Sequence, residues 1–148
     1  MKAELETKLL KAHPRIFRQV NLPMTQTAMC WGMECGDGWY SIIDTLCANI
    51  QHHLDWHNAE GKYEHNRKYN EKNENHVPLA QVEATQVKEK FGGLRFYYHG
   101  GDHYIEGMVR MAEAMSDRTC ERCGSPGKAR NTSWIKTLCG PCHEQDAK

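Results

Sequence analysis

The sequence carries no surplus of either charge. Nineteen Lys and Arg stand against nineteen Asp and Glu, and the formal net charge is zero. A general polyanion binder carries a basic excess, so an indiscriminate nucleic-acid coat is excluded, while a local basic face is not. Long apolar runs are missing as well, and none approaches the ~20 residues needed to span a bilayer. The first fifteen residues, MKAELETKLLKAHPR, have no apolar h-region and no small-residue cleavage site. The expectation is a chain without a signal peptide, not associated with a membrane, in the cytoplasm where thiols stay reduced. There is no P-loop, GxSxG or HExxH, which leaves NTPase, serine-hydrolase and zincin chemistry without sequence support. Apolar residues are scarce overall, at 39% against an average near ~45–50%. Some long polar stretch must therefore dilute an otherwise normal core. Neither an internal repeat nor a coiled-coil pattern is present.

What the chain does have is cysteine, seven in all, an odd number that fits metal ligation plus buried thiols better than a disulfide framework. Four of them form C-x2-C-x15-C-x2-C: Cys120, Cys123, Cys139 and Cys142. Two knuckles that each bring two thiolates together, closed by such a spacer, are the pattern of a four-cysteine zinc site. His143 is an alternative to Cys142 as the last ligand. Gly124 and Gly140 stand in the knuckles, where glycine relieves crowding. Four thiolates leave no open position for water, so the expected metal is structural. No HNH-like set of histidines lies between the knuckles, which argues against a zinc-supported nuclease.

The rest of the chain reads as α+β. Residues 2–12 form a short helix stopped by Pro14, and extended chain and loop follow. Asp37 is expected to cap the strongest helix, in which Trp39, Ile42, Ile43, Leu46, Cys47, Ile50, His53, Leu54 and His57 keep a 3.6-residue period. Residues 58–77 are rich in Asn, Lys, Glu and His and read as a polar, exposed excursion. In KEKFGGLRFYY, Gly92-Gly93 predicts a two-residue hairpin turn, with Phe96 on one face and Arg95 and Tyr97 on the other. Asp102 caps a third helix, whose stripe is Tyr104, Met108, Met111 and Met115, flanked by Ile105, Val109 and Ala112. That helix leads into Cys120.

Three further groups invite a functional reading. Cys30, Cys35, His53 and His57 give a loose C-x4-C-x17-H-x3-H arrangement, either a second metal site or core thiols and hydrogen-bonded histidines. Asp37, between Gly36 and Gly38, is a helix cap or an exposed carboxylate. Between the knuckles, Lys128, Arg130, Trp134 and Lys136 form a basic-aromatic tip that can contact a protein or a nucleic acid.

Three stretches carry a resemblance: ECGDGWYSIIDTLCANIQ (34–51), QVKEKFGGLRFYY (86–98) and RTCERCGSPGKAR…WIKTLC (118–139). In order and spacing they resemble a family of small proteins of phages, prophages and bacterial genomes. The resemblance implies a phage or prophage accessory protein and carries over no catalytic residue. The last segment is also similar to the zinc finger of DksA/TraR-type transcription factors, at Cys120, Cys123, Gly124, Leu138, Cys139 and Cys142. The long acidic-tipped coiled coil of those factors is missing.

Together these readings predict an α+β domain over 1–118, helices packed on a β-hairpin, and a zinc ribbon over 119–148. The expected function is a non-enzymatic, zinc-binding accessory protein in the cytoplasm of an infected or lysogenic bacterium. It would bind a host protein, such as a defence or transcription component, through Lys128, Arg130, Trp134 and Lys136. The alternative is a nucleic-acid-binding zinc ribbon.

Overall fold

A computed structural model describes residues 1–131 and 134–146. It is an α+β fold with a cluster of four cysteines near its C-terminus. Helices α1 (Ala3–Ala12) and α2 (Tyr40–His57) pack beside a three-stranded sheet of β1 (Met33–Glu34), β2 (Glu83–Lys90) and β3 (Gly93–His99). Between α2 and β2 lies the short helix α3 (Arg67–Lys72). Helix α4 (His103–Ser116) follows the sheet, and β4 (Lys128–Arg130), β5 (Lys136–Leu138) and α5 (Gly140–Asp146) complete the described chain.

The core follows the sequence periodicity of α2 closely. Trp39, Ile43, Cys47 and Ile50 are fully buried, and Ile42, Leu46 and Leu54 nearly so. They meet Val82, Ala84, Val87, Leu94 and Phe96 of the hairpin and Ile16 and Phe17 of the preceding loop. On β3 the alternation holds: Leu94 and Phe96 are buried while Tyr97 is exposed. The segment 15–38 is not all loop. Met33 and Glu34 pair in parallel with Val87 and Lys88, a strand too short to show any period. On the other side, α4 closes the free edge of β3. The N–H groups of Leu94 and Phe96 donate to Ser116 Oγ (2.8 Å) and Glu113 Oε1 (3.0 Å), which caps part of that edge.

Four expectations need correction. The hairpin turn is Phe91-Gly92, not Gly92-Gly93, because Lys90 pairs with Gly93. Both turn residues have positive φ, +55° and +81°, as a two-residue turn of this kind demands. Asp37 does not cap α2; its carboxylate accepts from the Lys2 N–H (2.7 Å) and pairs with the Lys2 ammonium (3.2 Å). That backbone hydrogen bond is the main reason its pKa lies below the usual value. Asp102 does cap α4, accepting from the Ile105 N–H at 3.0 Å. The stripe of α4 is turned the other way. Ile105, Val109 and Ala112 are buried, whereas Tyr104, Met111 and Met115 are 67, 62 and 50% exposed. The two stripes have the same period, and only the packing partners decide which faces inward. Finally, Gly140 is not needed to relieve a crowded knuckle, since a Cβ there would meet nothing within 4 Å. Gly124, with φ +78°, fits that role.

Most of the polar stretch 58–77 is exposed or half-buried, but Ala59 is fully buried. Residues Gly61–Asn66 form a 3-10 turn that runs into α3, and neither segment has a buried residue. Side-chain amides tie it down: Asn70 donates to the His57 carbonyl (2.9 Å), and Asn58 bonds both backbone groups of Leu79.

Candidate metal centre

The first knuckle, Cys120–Gly124, is a turn in which the Gly124 N–H donates to the Cys120 carbonyl at 2.9 Å. The second comes from the end of β5 and the start of α5. The antiparallel β4–β5 pair, in register Lys128↔Leu138 to Arg130↔Lys136, returns the chain between them. The Glu121 N–H donates to the Thr137 carbonyl (2.9 Å) and so stitches knuckle to ribbon. As a result, one ligand atom from each of Cys120, Cys123, Cys139 and Cys142 lies within 4.8 Å of all the others. Cys123 Sγ and Cys139 Sγ are 3.7 Å apart.

The spacing suits a metal. Zn–S bonds of ~2.3 Å in a tetrahedron place sulfurs about 3.8 Å apart. Hydrogen bonds with Ser125 lower the pKa of Cys123 to about 6, and the neighbouring Cys139 sulfur helps push Cys142 up to about 12. A bound divalent cation would hold all four as thiolates. His143 is not in the group. Its N–H donates to the Cys139 carbonyl (3.0 Å), and its ring Nδ1 is buried with no hydrogen-bond partner among the described residues.

The tetrad is built onto the body of the protein through the CGDGW turn. The Gly38 N–H donates to the Glu121 carbonyl (2.7 Å), the Gly36 N–H to Glu121 Oε1 (3.0 Å), and the Trp39 indole N–H to the Thr119 carbonyl (2.8 Å). A Cβ on Gly38 would lie 2.0 Å from the Cys120 carbonyl oxygen and 2.4 Å from the Gly124 nitrogen. Only glycine lets the knuckle approach this closely. Sequence reasoning took the turn for a cap or a carboxylate site; a signal was present in its two glycines, but their partner lies more than eighty residues away. Burial raises the pKa of Glu121 here, partly offset by its bond to Gly36.

The other candidate residues are dispersed. Cys30 Sγ donates to the Thr27 carbonyl, His53 bonds Asp102 Oδ2 (3.0 Å) and His57 the Val77 carbonyl (2.9 Å). Cys35 is buried and its thiol is pushed up to about 12. Among the described residues the four-cysteine tetrad is the only group of three or more potential ligands close enough to share an ion, so Cys30, Cys35, His53 and His57 form no second site. At the tip, Lys128 is exposed on β4. Arg130 Nε donates to the Leu138 carbonyl (3.2 Å) and Lys136 pairs with Asp146 (2.9 Å). Trp134 is 61% exposed, with its indole N–H on Glu89 Oε2 (3.0 Å). The ribbon also reaches the hairpin through Thr137 Oγ1, which donates to the Gly92 carbonyl at 2.7 Å.

No protein-family model, curated protein or solved structure matches the chain. Among the described residues no helix is long and apolar enough to cross a membrane.

Proposed function

We propose that the tetrad holds one structural Zn²⁺ and that the protein is a non-enzymatic, phage-encoded accessory factor that binds a host protein in the bacterial cytoplasm. The observation that carries the zinc reading is the closure of the site. Four thiols share one ion position, so four thiolates complete a tetrahedron and leave no coordination site for a reacting water. Zinc would supply on the order of 10–16 kcal/mol to the folding of such a module. Iron suits four thiolates too, and metal analysis separates them. One zinc per chain is expected, and a red iron centre or a metal-free, folded tail would refute the assignment.

Support for partner binding comes from the hairpin tip. Phe91, 70% exposed, is a bulky residue at φ +55°, a conformation costly for a non-glycine residue. Strain kept at an exposed aromatic is a reason to look for function there. Trp134 hydrogen-bonds to the same hairpin through Glu89. Trp134, Phe91 and Lys128 are the contact residues we favour, because their side chains are largely exposed. A pull-down from host cells with and without nuclease tests this. A partner retained after nuclease and lost with Phe91→Asn and Trp134→Ala supports it; a wild-type protein that captures nothing refutes it.

One observation favours the nucleic-acid reading. Lys88 lies over Tyr97 (5.6 Å to the ring centroid) and Lys90 over Phe91 (5.5 Å), so the outer hairpin face interleaves cations with aromatics. Nuclease-sensitive capture with a steep salt dependence would establish it instead.

A further inference from the structure

Helices α2 and α4 lie antiparallel. His53 stacks on Tyr104 at one end (ring centroids 4.7 Å), and Trp39 bonds Thr119 at the other. Between them runs an open groove of ≈ 380 Å³. Tyr104, Met108, Met111 and Met115 form one wall, and Ile42 and Leu46 are in its lining. None of its ten lining residues is charged, in a chain that is 26% Asp, Glu, Lys and Arg. The charged residues of both helices are turned elsewhere and paired. Asp44 bonds His13 and Asp55 bonds Arg15 on α2; Glu106 pairs with Arg110 and Glu113 holds Phe96 on α4.

We propose that this face is a homodimer interface, in which the α2–α4 pairs of two copies pack about a two-fold axis as a four-helix layer. Depletion of charge with enrichment of Met and aromatic residues marks an interface core. Three arguments select a second copy as the occupant. First, the face is self-complementary. The exposed α4 ridge of Tyr104, Met111 and Met115 lies directly beside the groove, so each copy offers the ridge that fills the other's groove. Second, residues near a two-fold axis meet their own copies, and an uncharged face suffers no like-charge repulsion there. The charged groups of the two helices are held in bonds within the chain, away from the lining of the groove. Third, the face offers apolar area for a small interface. At ~200 Å² for a side chain of this size, the exposed parts of Tyr104, Met111 and Met115 alone offer roughly 350 Å². The small residues around them bring the face toward the ~800 Å² per partner of a standard interface. Methionine suits such a surface, because its flexible thioether fills irregular gaps.

The test is the mass of the zinc-loaded protein in solution, by light scattering and sedimentation across the micromolar range. Twice the 17.1 kDa chain mass is expected. Met111→Lys and Met111→Glu should each raise the dimer dissociation constant about 100-fold or more through self-repulsion, and mixing the two should restore a dimer. Met111 is mostly exposed, so both variants should fold; unchanged far-ultraviolet dichroism and zinc content check this. Thr45→Arg, on the facing helix, is a second variant with the same expected outcome. A wild-type protein that stays monomeric, variants that dimerise as tightly as wild type, or a mixture that remains monomeric would each overturn the proposal.

Discussion

Replacing Gly38 by Ala tests how the metal ribbon is joined to the rest of the protein. The added Cβ would come within 2.0 Å of the Cys120 carbonyl oxygen and 2.4 Å of the Gly124 nitrogen. Both are backbone atoms of a knuckle, so no side chain can swing aside to make room. If the knuckle shifts just far enough to clear the methyl and keeps its hydrogen bonds, the strain costs about 1–3 kcal/mol, as overpacking generally does. If it moves away, the hydrogen bonds of Gly36, Gly38 and Trp39 to Thr119 and Glu121 are lost. At ~1 kcal/mol each, these total about 3 kcal/mol, and more if the Thr119 and Glu121 carbonyls stay buried without partners. The destabilisation is therefore about 1–3 kcal/mol, which in a chain of this length lowers Tm by about 2–12 °C. The assay is thermal and denaturant unfolding of the zinc-loaded protein, with zinc affinity measured alongside. A Gly38→Ala protein within ~0.5 kcal/mol of wild type would refute the docking of the knuckle on this turn.

The remaining predictions concern other parts of the molecule. Phe91→Asn places a residue tolerant of positive φ before Gly92 and should stabilise the protein by about 1 kcal/mol, measured by denaturant midpoint, while weakening capture of the proposed partner. Asp102→Ala should cost about 1 kcal/mol for the lost cap of α4. Burial tends to raise the Asp102 pKa but is outweighed by its bonds to His53 and Ile105, so the net shift is downward. A carboxyl depressed in the folded state stabilises above its unfolded pKa, near ~3.9, and that contribution is lost as pH falls through the lower folded value. Wild-type stability should therefore drop more steeply with acid than that of Asp102→Ala, as read from Tm against pH below about 4. Cys47 is fully buried with its thiol pushed up by burial. It should stay unmodified by iodoacetamide in native protein and react only on unfolding, as peptide mass mapping would show.

Where the sequence was legible, one local rule sufficed. The spacing of four cysteines named the ligand set, because a knuckle is a local turn and the tetrahedron needs only a spacer that lets the second turn meet the first. The period of α2 named its buried face, because that helix has one apolar stripe and no rival. Legibility failed where two answers satisfied the same local rule. On α4, two adjacent stripes both keep a helical period, and the choice fell to the smaller, β-branched Ile105 and Val109 with Ala112, while the methionines were left facing outward. In the hairpin, both Phe91-Gly92 and Gly92-Gly93 are two-residue turns. Inward placement of Val87, Leu94 and Phe96 fixes the register, and that register puts Phe91 in the turn. β1 and α5 are too short to carry a periodic signal.

The joining of CGDGW to CERCG shows why these two stretches belong to one site. A ligand turn held only by its metal keeps freedom to pivot as a unit, so residues at its tip would lose orientation on binding a partner. Here the first knuckle is tied to the turn just before α2: Glu121 accepts from the Gly38 N–H through its carbonyl and from the Gly36 N–H through its carboxylate, and the nearby Thr119 carbonyl accepts from the Trp39 indole. The ribbon beyond it is bonded to the turn of the β-hairpin through Thr137 and Gly92. Those attachments lie on two different elements of the core and remove the pivot. The orientation of the tip is then set before any encounter, which lowers the entropy cost of association. The same attachments couple metal binding to the body. Loss of the proposed zinc would free Glu121 from a defined turn, and with it the partners of two amides and, through nearby Thr119, of the Trp39 indole. Chelation should thus be felt at α2 and the hairpin as well as in the tail. Amide exchange of Gly36, Gly38 and Leu94 that is unchanged on zinc removal would show that ribbon and body are energetically separate.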